Sequence, residues 1–405
     1  MAVNPLPLPE FAAVDGIRLG VAQAGIKAPG RSDLVVMELC EGSTVGAVFT
    51  RNAFCAAPVL IAQRHLSEAS PRYLLINTGN ANAGNGEQGM TDARSCCEAL
   101  ARECNVPEQA VLPFSTGVIG EPLPVERIVT ALPQALTNLR GDAWADAANG
   151  ILTTDTLPKG SMRQIAVDGQ SIRICGISKG AGMIRPNMAT MLGFIGTDAR
   201  IAQPLLQRLV SELAESSFNR ITVDGDTSTN DACVVVATGR SAAPEITEGS
   251  PGWQDFREAL AEVFLELAQA IVRDAEGATK FVAVRVRGAA DGESALRTAF
   301  TVAESPLVKT ALYASDPNWG RILAAVGRAG VPSLDVSRVR IDLDDVCIVS
   351  GGGRDPAYTE EKGQAVMDRA ELTVTIDLGM GDCAETVWTS DFSHEYVTIN
   401  AEYRT

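Results

Sequence analysis

ISKGAGMIRPNMATMLGF, at residues 177–194, joins a glycine-rich approach bearing Lys179 to a short segment that contains Pro186 and ends at Ala189-Thr190. A threonine that follows a small residue, in a segment that bends sharply, is what a self-cleaving precursor requires. Its hydroxyl can attack the preceding peptide bond, and the threonine then becomes a new N-terminus. Such an amine has an ordinary pKa of about 7.7–8.0, so near neutral pH it can accept the proton of its own hydroxyl. The stretch is what cleavage between Ala189 and Thr190, with Thr190 as the nucleophile, would require, although most isolated threonines in such a position simply begin a strand, here TMLGFIG.

This stretch closely resembles the cleavage motif of the ornithine acetyltransferases, the glutamate N-acetyltransferase family of the cyclic arginine pathway. Seven other stretches resemble the same family, in its order and almost from end to end. They are NTGNANAGNGEQG at 77–89, STGVIG at 115–120, TTDTLPK at 153–159, TVDGDTSTND at 222–231, DAEGATKF at 274–281, SDPNWGRI at 315–322 and VTINAEYRT at 397–405. One such string would be weak evidence, but eight in order are strong.

Composition excludes several classes of partner. The chain has 405 residues, 34 basic and 50 acidic side chains, and a net charge of −16. Phosphate binding needs basic patches, so neither nucleic acid nor an anionic membrane is expected as a partner. The N-terminus lacks the basic start and apolar run of a signal peptide, and no stretch is apolar for long enough to span a bilayer. We therefore expect a cytoplasmic protein.

The sequence predicts no metal and no cofactor. Nine cysteines contain no Cys-x-x-Cys pair, and there are only two histidines, so the thiols are expected to be buried and reduced. The stretch at 77–89 lacks the lysine of a phosphate-binding loop, which favours a loop near the acyl site. The stretch at 222–231 lacks the final glutamate of a calcium loop and is typical of a tight turn. Acetyl-CoA enters only as a co-substrate that some members of the resembled family use.

The chain reads as α+β. Strand-like runs come in groups rather than in strict alternation with helices, and amphipathic helices are indicated at 91–103, 124–138, 202–218 and 256–273. The resemblance implies a family-specific two-domain fold with stacked mixed sheets and outer helices, processed into fragments 1–189 and 190–405. Strands on both sides of the cut are expected to share one core. Linkers or surface loops are expected at 241–252 and 350–356.

An oxyanion hole is the next requirement of acyl transfer, because negative charge develops on the attacked oxygen. The hydroxyl of Thr116 and the backbone N–H of Gly117 are a suitable pair of donors, although the residues alone fit a turn after Pro113 better. The resemblance implies the oxyanion role for both.

The resemblance also implies a set of substrate-binding residues. They are Thr153, Thr156, Lys179, Thr190, Glu276, Asn400 and Thr405. Lys179 could pair with a substrate carboxylate or lower the pKa of the new amine, and Glu276 suits the side-chain ammonium of ornithine. Which threonine of TTDT contacts substrate stays open. The last residues, which would otherwise be expected to fray, are implied to fold back to the site.

The function implied is ping-pong transfer of acetyl from N2-acetylornithine to glutamate through acetyl-Thr190, in an assembly of two copies of each fragment. Acetyl-CoA is a second implied donor, which would make the enzyme bifunctional. Two alternatives remain: an amidohydrolase or aminopeptidase that uses the same threonine with water as acceptor, and an uncleaved binding protein that keeps the fold.

Overall fold

The computed structural model describes residues 2–27, 29–185 and 191–402. The strands of the described chain are β1 (Ile17–Ala22), β2 (Leu34–Leu39), β3 (Thr44–Phe49), β4 (Tyr73–Asn80), β5 (Val111–Val118), β6 (Lys159–Val167), β7 (Gln170–Lys179), β8 (Leu192–Thr197), β9 (Ile221–Thr222), β10 (Ala232–Ala237), β11 (Phe281–Ala289), β12 (Arg340–Leu343), β13 (Val346–Ser350), β14 (Gly353–Arg354), β15 (Glu371–Asp377) and β16 (Cys383–Ser390). The helices are α1 (Ala57–Glu68), α2 (Gly86–Cys104), α3 (Val125–Thr137), α4 (Trp144–Gly150), α5 (Gln203–Ser216), α6 (Trp253–Arg273), α7 (Gly292–Ala303), α8 (Pro306–Tyr313), α9 (Trp319–Gly327), α10 (Glu360–Met367) and α11 (His394–Ala401).

Two sheets lie face to face at the centre of the larger lobe. The first has the order β1-β2-β4-β5, and the second has the order β3-β10-β8-β7-β6. Their facing side chains form one apolar core, in which Phe114 of β5 meets Phe194 of β8 edge to face at 5.2 Å. Because the strands are rich in valine, isoleucine and leucine on both faces, each sheet needs a second apolar cover.

Helices supply that cover. The outer face of the second sheet packs on α5 and α6, and the outer face of the first sheet packs on α2 and α3. The stripe that the sequence indicates on α6 is buried, as Leu260, Val263 and Leu267 show. The expected α+β architecture, with stacked mixed sheets and outer helices, is confirmed.

The second sheet takes strands from both sides of the predicted cleavage point. β7 pairs antiparallel with β8, so that Lys179 lies opposite Leu192, and β8 pairs parallel with β10. The expectation that strands before and after residue 189 belong to one core is therefore confirmed.

A smaller lobe is built on the third sheet, of order β14-β13-β12-β15-β11-β16-β9. One face of this sheet packs on α7, α8, α9 and α10 in a separate apolar core. The stretches 350–356 and 241–252 were both expected to be linkers or surface loops. The first contains the end of β13, a tight turn and the short strand β14, which pairs back onto β13. The second is an irregular segment with many exposed residues.

The structure bears on two expectations from composition, one about membrane-spanning segments and one about the burial of the cysteines. Within the described residues, no helix is both long and apolar enough to cross a membrane. All nine cysteines are free, but only Cys96, Cys97, Cys175 and Cys233 are buried, and Cys383 is exposed. The expectation of uniformly buried thiols is wrong, because Cys383 opens an edge-proximal strand whose first residues face solvent.

The smaller lobe contains a fully buried lysine. Lys309 of α8 is 0% exposed, and its ammonium donates to Thr389 Oγ1 at 2.9 Å and to the Ser390 carbonyl. Burial lowers the pKa of Lys309 to about 7, although Asp391, Asp224 and Glu304 oppose the shift. The unfolded chain keeps a lysine pKa of about 10.4 and thus binds more protons than the folded chain between these values.

We expect the free energy of unfolding to rise by about 1–3 kcal/mol between pH 7 and pH 9 through Lys309, because the cost of burying its charge disappears as it deprotonates. Urea unfolding at both pH values measures this gain. Lys309→Met should flatten it, whereas Lys362→Met, at an exposed lysine of α10, should leave it unchanged. An equal pH slope in the Lys309 variant would contradict the assignment.

Candidate functional site

One cavity of about 270 Å³ gathers most of the residues predicted for the site. It lies where the end of β5, the end of β7 and the C-terminal helix α11 approach one another. The predicted residues that line it are Thr116, Gly117, Thr153, Lys179, Glu276 and Asn400. The first and last of these are far apart in sequence, so only the fold brings them together.

The proposed oxyanion donors end an edge strand. Among the described strands, β5 pairs only with β4, and the register between them shifts at Gly79 and Asn80. Gly117 has a φ of +138°, and a Cβ there would overlap the backbone of Gly79, so the position requires glycine. The irregular pairing turns the end of β5 into the cavity.

Asparagines brace this strand end. Ser115 donates to Asn77 Oδ1 at 2.6 Å, and Asn77 Nδ2 donates to the Asn80 carbonyl at 3.0 Å. Asn80 Nδ2 in turn donates to the carbonyl of Pro122 at 3.0 Å. The asparagine-rich stretch at 77–89 thus supports the cavity wall, and its Ala81 lines the cavity itself.

Lys179 lies between Thr116 and a buried carboxylate. It is 8% exposed, and its ammonium donates to Thr116 Oγ1 at 3.2 Å and lies 4.0 Å from Asp155 Oδ2. Burial lowers the pKa of Lys179, while the nearby Asp155 opposes that shift. Because the Thr116 hydroxyl accepts from an ammonium, its own hydrogen can be donated to a developing oxyanion.

The loop TTDTLPK is held by an ion cluster. The Lys159 ammonium lies 2.6 Å from Asp155 Oδ1 and 2.7 Å from Asp274 Oδ2. Asp155 also accepts from the backbone N–H of Gly180 at 2.7 Å. Although burial opposes its ionisation, the charges of Lys159 and Lys179 hold the pKa of Asp155 well below its usual range.

The two candidate threonines of this loop differ in position. Thr153 lines the cavity, as does its neighbour Thr154. Thr156 instead donates its hydroxyl and its backbone N–H to Asp274, and it is not among the residues lining the cavity. Thr153 is therefore placed at the cavity, whereas Thr156 holds the loop through its bonds to Asp274.

Glu276 and Asn400 form the far wall. Glu276 is 7% exposed and follows α6, and its backbone N–H donates to the Ala181 carbonyl at 3.0 Å. Its Oε2 accepts from Asn400 Nδ2 of α11 at 2.7 Å. A Cβ on Gly182 would lie 2.5 Å from the Glu276 carboxylate, so glycine there leaves the carboxylate its place.

The C-terminal helix is tied down rather than frayed. Ser393 caps α11 and donates to the Gly277 carbonyl at 2.6 Å, and the Tyr396 hydroxyl donates to Asp224 Oδ2 at 3.2 Å. These bonds carry Asn400 to the cavity. Ala189, Thr190 and Thr405 lie outside the described residues.

The residues on either side of the predicted cleavage point are well anchored. Met183 and Ile184 donate their backbone N–H groups to Asp224 at 2.7 and 2.9 Å. Arg185 pairs with Glu304 at 2.6 Å, and Met191 lines the cavity. Met183 and Ile184, before the segment, line the same cavity as Met191, whereas Arg185 turns to Glu304.

Sequence reasoning missed one wall of the site. Ser228, Thr229, Asn230 and Asp231 line the cavity, although their stretch was interpreted only as a tight turn. Asn230 Nδ2 donates to the carbonyls of Ala81 and Ser115. The signal that could have found them is the resemblance of the whole stretch TVDGDTSTND to the family motif.

Within the described residues, no group of three or more His, Cys, Asp or Glu side chains is arranged to hold a metal ion. The cavity instead offers hydroxyls, an ammonium and carboxylates around a small volume. Such an arrangement can bind a zwitterionic amino acid and stabilise charge on an attacked carbonyl.

Comparison with known proteins places nearly the whole chain in one family. The sequence model of the ArgJ family matches residues 18–405. Arginine biosynthesis bifunctional proteins ArgJ from Pseudomonas syringae pv. tomato and Pseudomonas fluorescens are 60% and 59% identical over 406 residues, and each alignment covers 100% of both chains. A crystal structure of the ArgJ protein from Bacillus halodurans is 37% identical with a TM-score of 0.48, covering 50% of this chain and 95% of that one. With the family model matched over nearly all of its length and full-length relatives at this identity, the chain belongs to the ArgJ family, the acetyltransferases of arginine biosynthesis.

Proposed function

We propose that the chain moves the acetyl group of N2-acetyl-L-ornithine to L-glutamate through a covalent acetyl-Thr190, after cleavage between Ala189 and Thr190. The observation that carries the proposal is the cavity beside Met191, the residue joined to Thr190. Residues predicted independently of the structure, from Thr116 to Asn400, line it together.

In the first half-reaction, Thr190 Oγ attacks the acetyl carbonyl while the Thr190 amine takes the hydroxyl proton. The charge on the acetyl oxygen is held by the Thr116 hydroxyl and the Gly117 N–H. The tetrahedral intermediate then expels the N2 nitrogen of ornithine, which leaves as an amine by accepting the proton that the Thr190 ammonium holds. Lys179 supports this step, since its bond to Thr116 Oγ1 makes the hydroxyl a stronger donor.

Substrate recognition follows from the charges of the cavity. Glu276 offers a carboxylate that is buried and oriented by Asn400, which suits the side-chain ammonium of ornithine. Lys179 can pair with the α-carboxylate, and Thr153 adds a hydroxyl on the same side. We propose that the last residue, Thr405, completes this wall, and that Thr156 acts by holding the loop.

In the second half-reaction, the neutral amine of glutamate attacks the acetyl ester, the bond to Thr190 Oγ breaks, and the proton of the attacking amine passes through the Thr190 amine to Oγ, which gives N-acetylglutamate and free enzyme. No cofactor or metal takes part in this cycle. The relatives are named bifunctional, and we propose that acetyl-CoA is an alternative donor here. We further propose a cytoplasmic assembly of two copies of each fragment.

The intact mass of the denatured protein after brief exposure to N2-acetylornithine tests the proposal. We expect two fragments split after residue 189, the second heavier by one acetyl group. Addition of glutamate should remove that mass and release N-acetylglutamate. Release of acetate without glutamate would favour the hydrolase, and a single unmodified 405-residue chain would exclude the mechanism.

Glu276→Gln should lower kcat/KM for N2-acetylornithine by about 10- to 100-fold, because a charge-assisted hydrogen bond contributes about 1.5–3 kcal/mol. N-acetylnorvaline has a side chain of similar length without the amine. The preference of the enzyme for acetylornithine over this analogue should largely vanish in the variant.

Glu395→Gln, at an exposed carboxylate of α11, is the matched control and should keep that preference. An undiminished preference in Glu276→Gln would show that another group reads the ornithine ammonium.

A further inference from the structure

Asp231 is a buried carboxyl that the proposed cycle does not use. It is 3% exposed and lines the cavity, and in the described part of the chain its Oδ2 has no hydrogen-bond partner. Buried polar atoms are almost always satisfied, so an unpaired carboxyl oxygen on a residue that lines the cavity points to a role there. Its backbone is fixed, because the Asp231 carbonyl accepts from Thr50 N–H at 2.9 Å.

The sheet register places Asp231 next to the start of β8. Ala232 of β10 lies opposite Leu192 of β8, and the Ala232 N–H donates to the Met191 carbonyl at 2.9 Å. Asp231 is therefore the β10 neighbour of Met191. Met191 directly follows Thr190 in the chain, so the strand neighbour of Asp231 is the residue next to the predicted new N-terminus.

The charged and titratable groups facing Asp231 are few. Lys179 of β7 and Cys55, just before α1, interact with it electrostatically, and Ser228 hydrogen-bonds to it. Burial raises the pKa of Asp231 well above its ordinary value, and Ser228 and Lys179 only partly offset this. An adjacent ammonium would lower the pKa of Asp231 again, since an opposite charge within about 4–6 Å favours the ionised carboxylate.

We propose that Asp231 is the positioning residue for the amine that cleavage creates at Thr190. This inference rests on the proposed function. Oδ2 accepts a hydrogen bond from the amine N–H, which orients the nitrogen lone pair toward Oγ. When Oγ attacks, its proton moves to the nitrogen, and the resulting ammonium is held by Asp231 until it protonates the leaving amine of ornithine. Asp231 gains and loses no covalent bond in this sequence.

Asp231→Asn tests the inference through the pH profile of kcat/KM. The amide has nearly the same shape but cannot become negative, so the amine loses the charge that stabilises its protonated form. We expect the acid limb to move to lower pH by about half a unit or more and kcat to fall, with KM little changed. Asp226→Asn removes an exposed carboxylate of the same turn and should leave the profile in place.

Intact mass separates the possible failures. If the wild-type chain is never cleaved, the proposed function itself is contradicted. A wild-type chain that cleaves and becomes acetylated, with an unmoved acid limb in Asp231→Asn, overturns only this inference. An Asp231→Asn chain that stays uncut also overturns it, because Asp231 would then act before the amine exists.

A measurement on the unmodified enzyme keeps the inference testable even where the variant misfolds. The rate at which an acylating reagent labels the N-terminus of the second fragment, followed by mass against pH, gives the pKa of that amine. We expect a value at or above the ordinary range of about 7.7–8.0, despite the nearby Lys179. A clearly lower pKa would mean that Lys179 governs the amine and Asp231 does not hold it.

Discussion

Thr190→Ala should yield one uncut chain that transfers acetyl at least about 10³-fold more slowly than the wild type. The substitution removes at once the hydroxyl that breaks the Ala189-Thr190 bond and the hydroxyl that carries the acetyl group, and groups acting as a unit are lost together. Denaturing mass spectrometry and a coupled assay of N-acetylglutamate measure the two effects on the same sample.

Thr190→Ser is the matched variant, because it keeps a hydroxyl and loses only a methyl group. It should still be cut and should retain measurable transfer. Substantial transfer by an uncut Thr190→Ala chain would contradict the mechanism, since no new amine and no acyl carrier would exist at that position.

Asp155→Asn should lower the free energy of unfolding by about 3–5 kcal/mol at pH 7, the usual result of removing one partner of a buried ion pair. Asp155 has no exposed side-chain surface and neutralises Lys159 at 2.6 Å. Without its charge, Lys159 retains Asp274, but Lys179 loses a carboxylate 4.0 Å away. Urea unfolding measures the loss.

The contribution of Asp155 to the free energy of unfolding should depend on pH with a defined sign. The folded-state pKa of Asp155 lies below that of the unfolded chain, about 3.9, so its contribution is complete above that value and disappears as the pH falls further. The difference between wild type and variant should therefore shrink below about pH 4. Asp142→Asn, at an exposed partner of Arg140, should change stability by less than about 1 kcal/mol. An equally small change in Asp155→Asn would contradict the cluster's role.

The sequence was most informative where apolar periodicity was strong. The stripes on α5 and α6 are buried as expected, because their patterns depend on local spacing alone. β5 carries no clear strand pattern in the sequence, since Pro113 and Gly117 interrupt it. Both residues are tolerated because β5 is an edge strand with an irregular register.

The candidate site was only partly accessible to sequence reasoning. Motif resemblance identified Lys179 and Glu276, but spacing could not show that Thr156 faces Asp274 while Thr153 faces the cavity. Asp231 was missed because its stretch satisfies the pattern of a turn. Its position beside Met191 depends on the parallel pairing of β8 and β10, which joins segments 40 residues apart.

The pairing of β7 with β8 has a consequence for the life of the protein after cleavage. A cut between these strands would leave two polypeptides that share one hydrogen-bonded ladder and one apolar interior. The intact precursor folds as a single molecule, at a rate independent of concentration. The severed pair, once denatured, must find each other by diffusion, so recovery would become second order and dilution would oppose it. Before cleavage, an unfolded molecule could refold alone. After cleavage, refolding would require two separate fragments to associate, so unfolding at low concentration would be effectively irreversible.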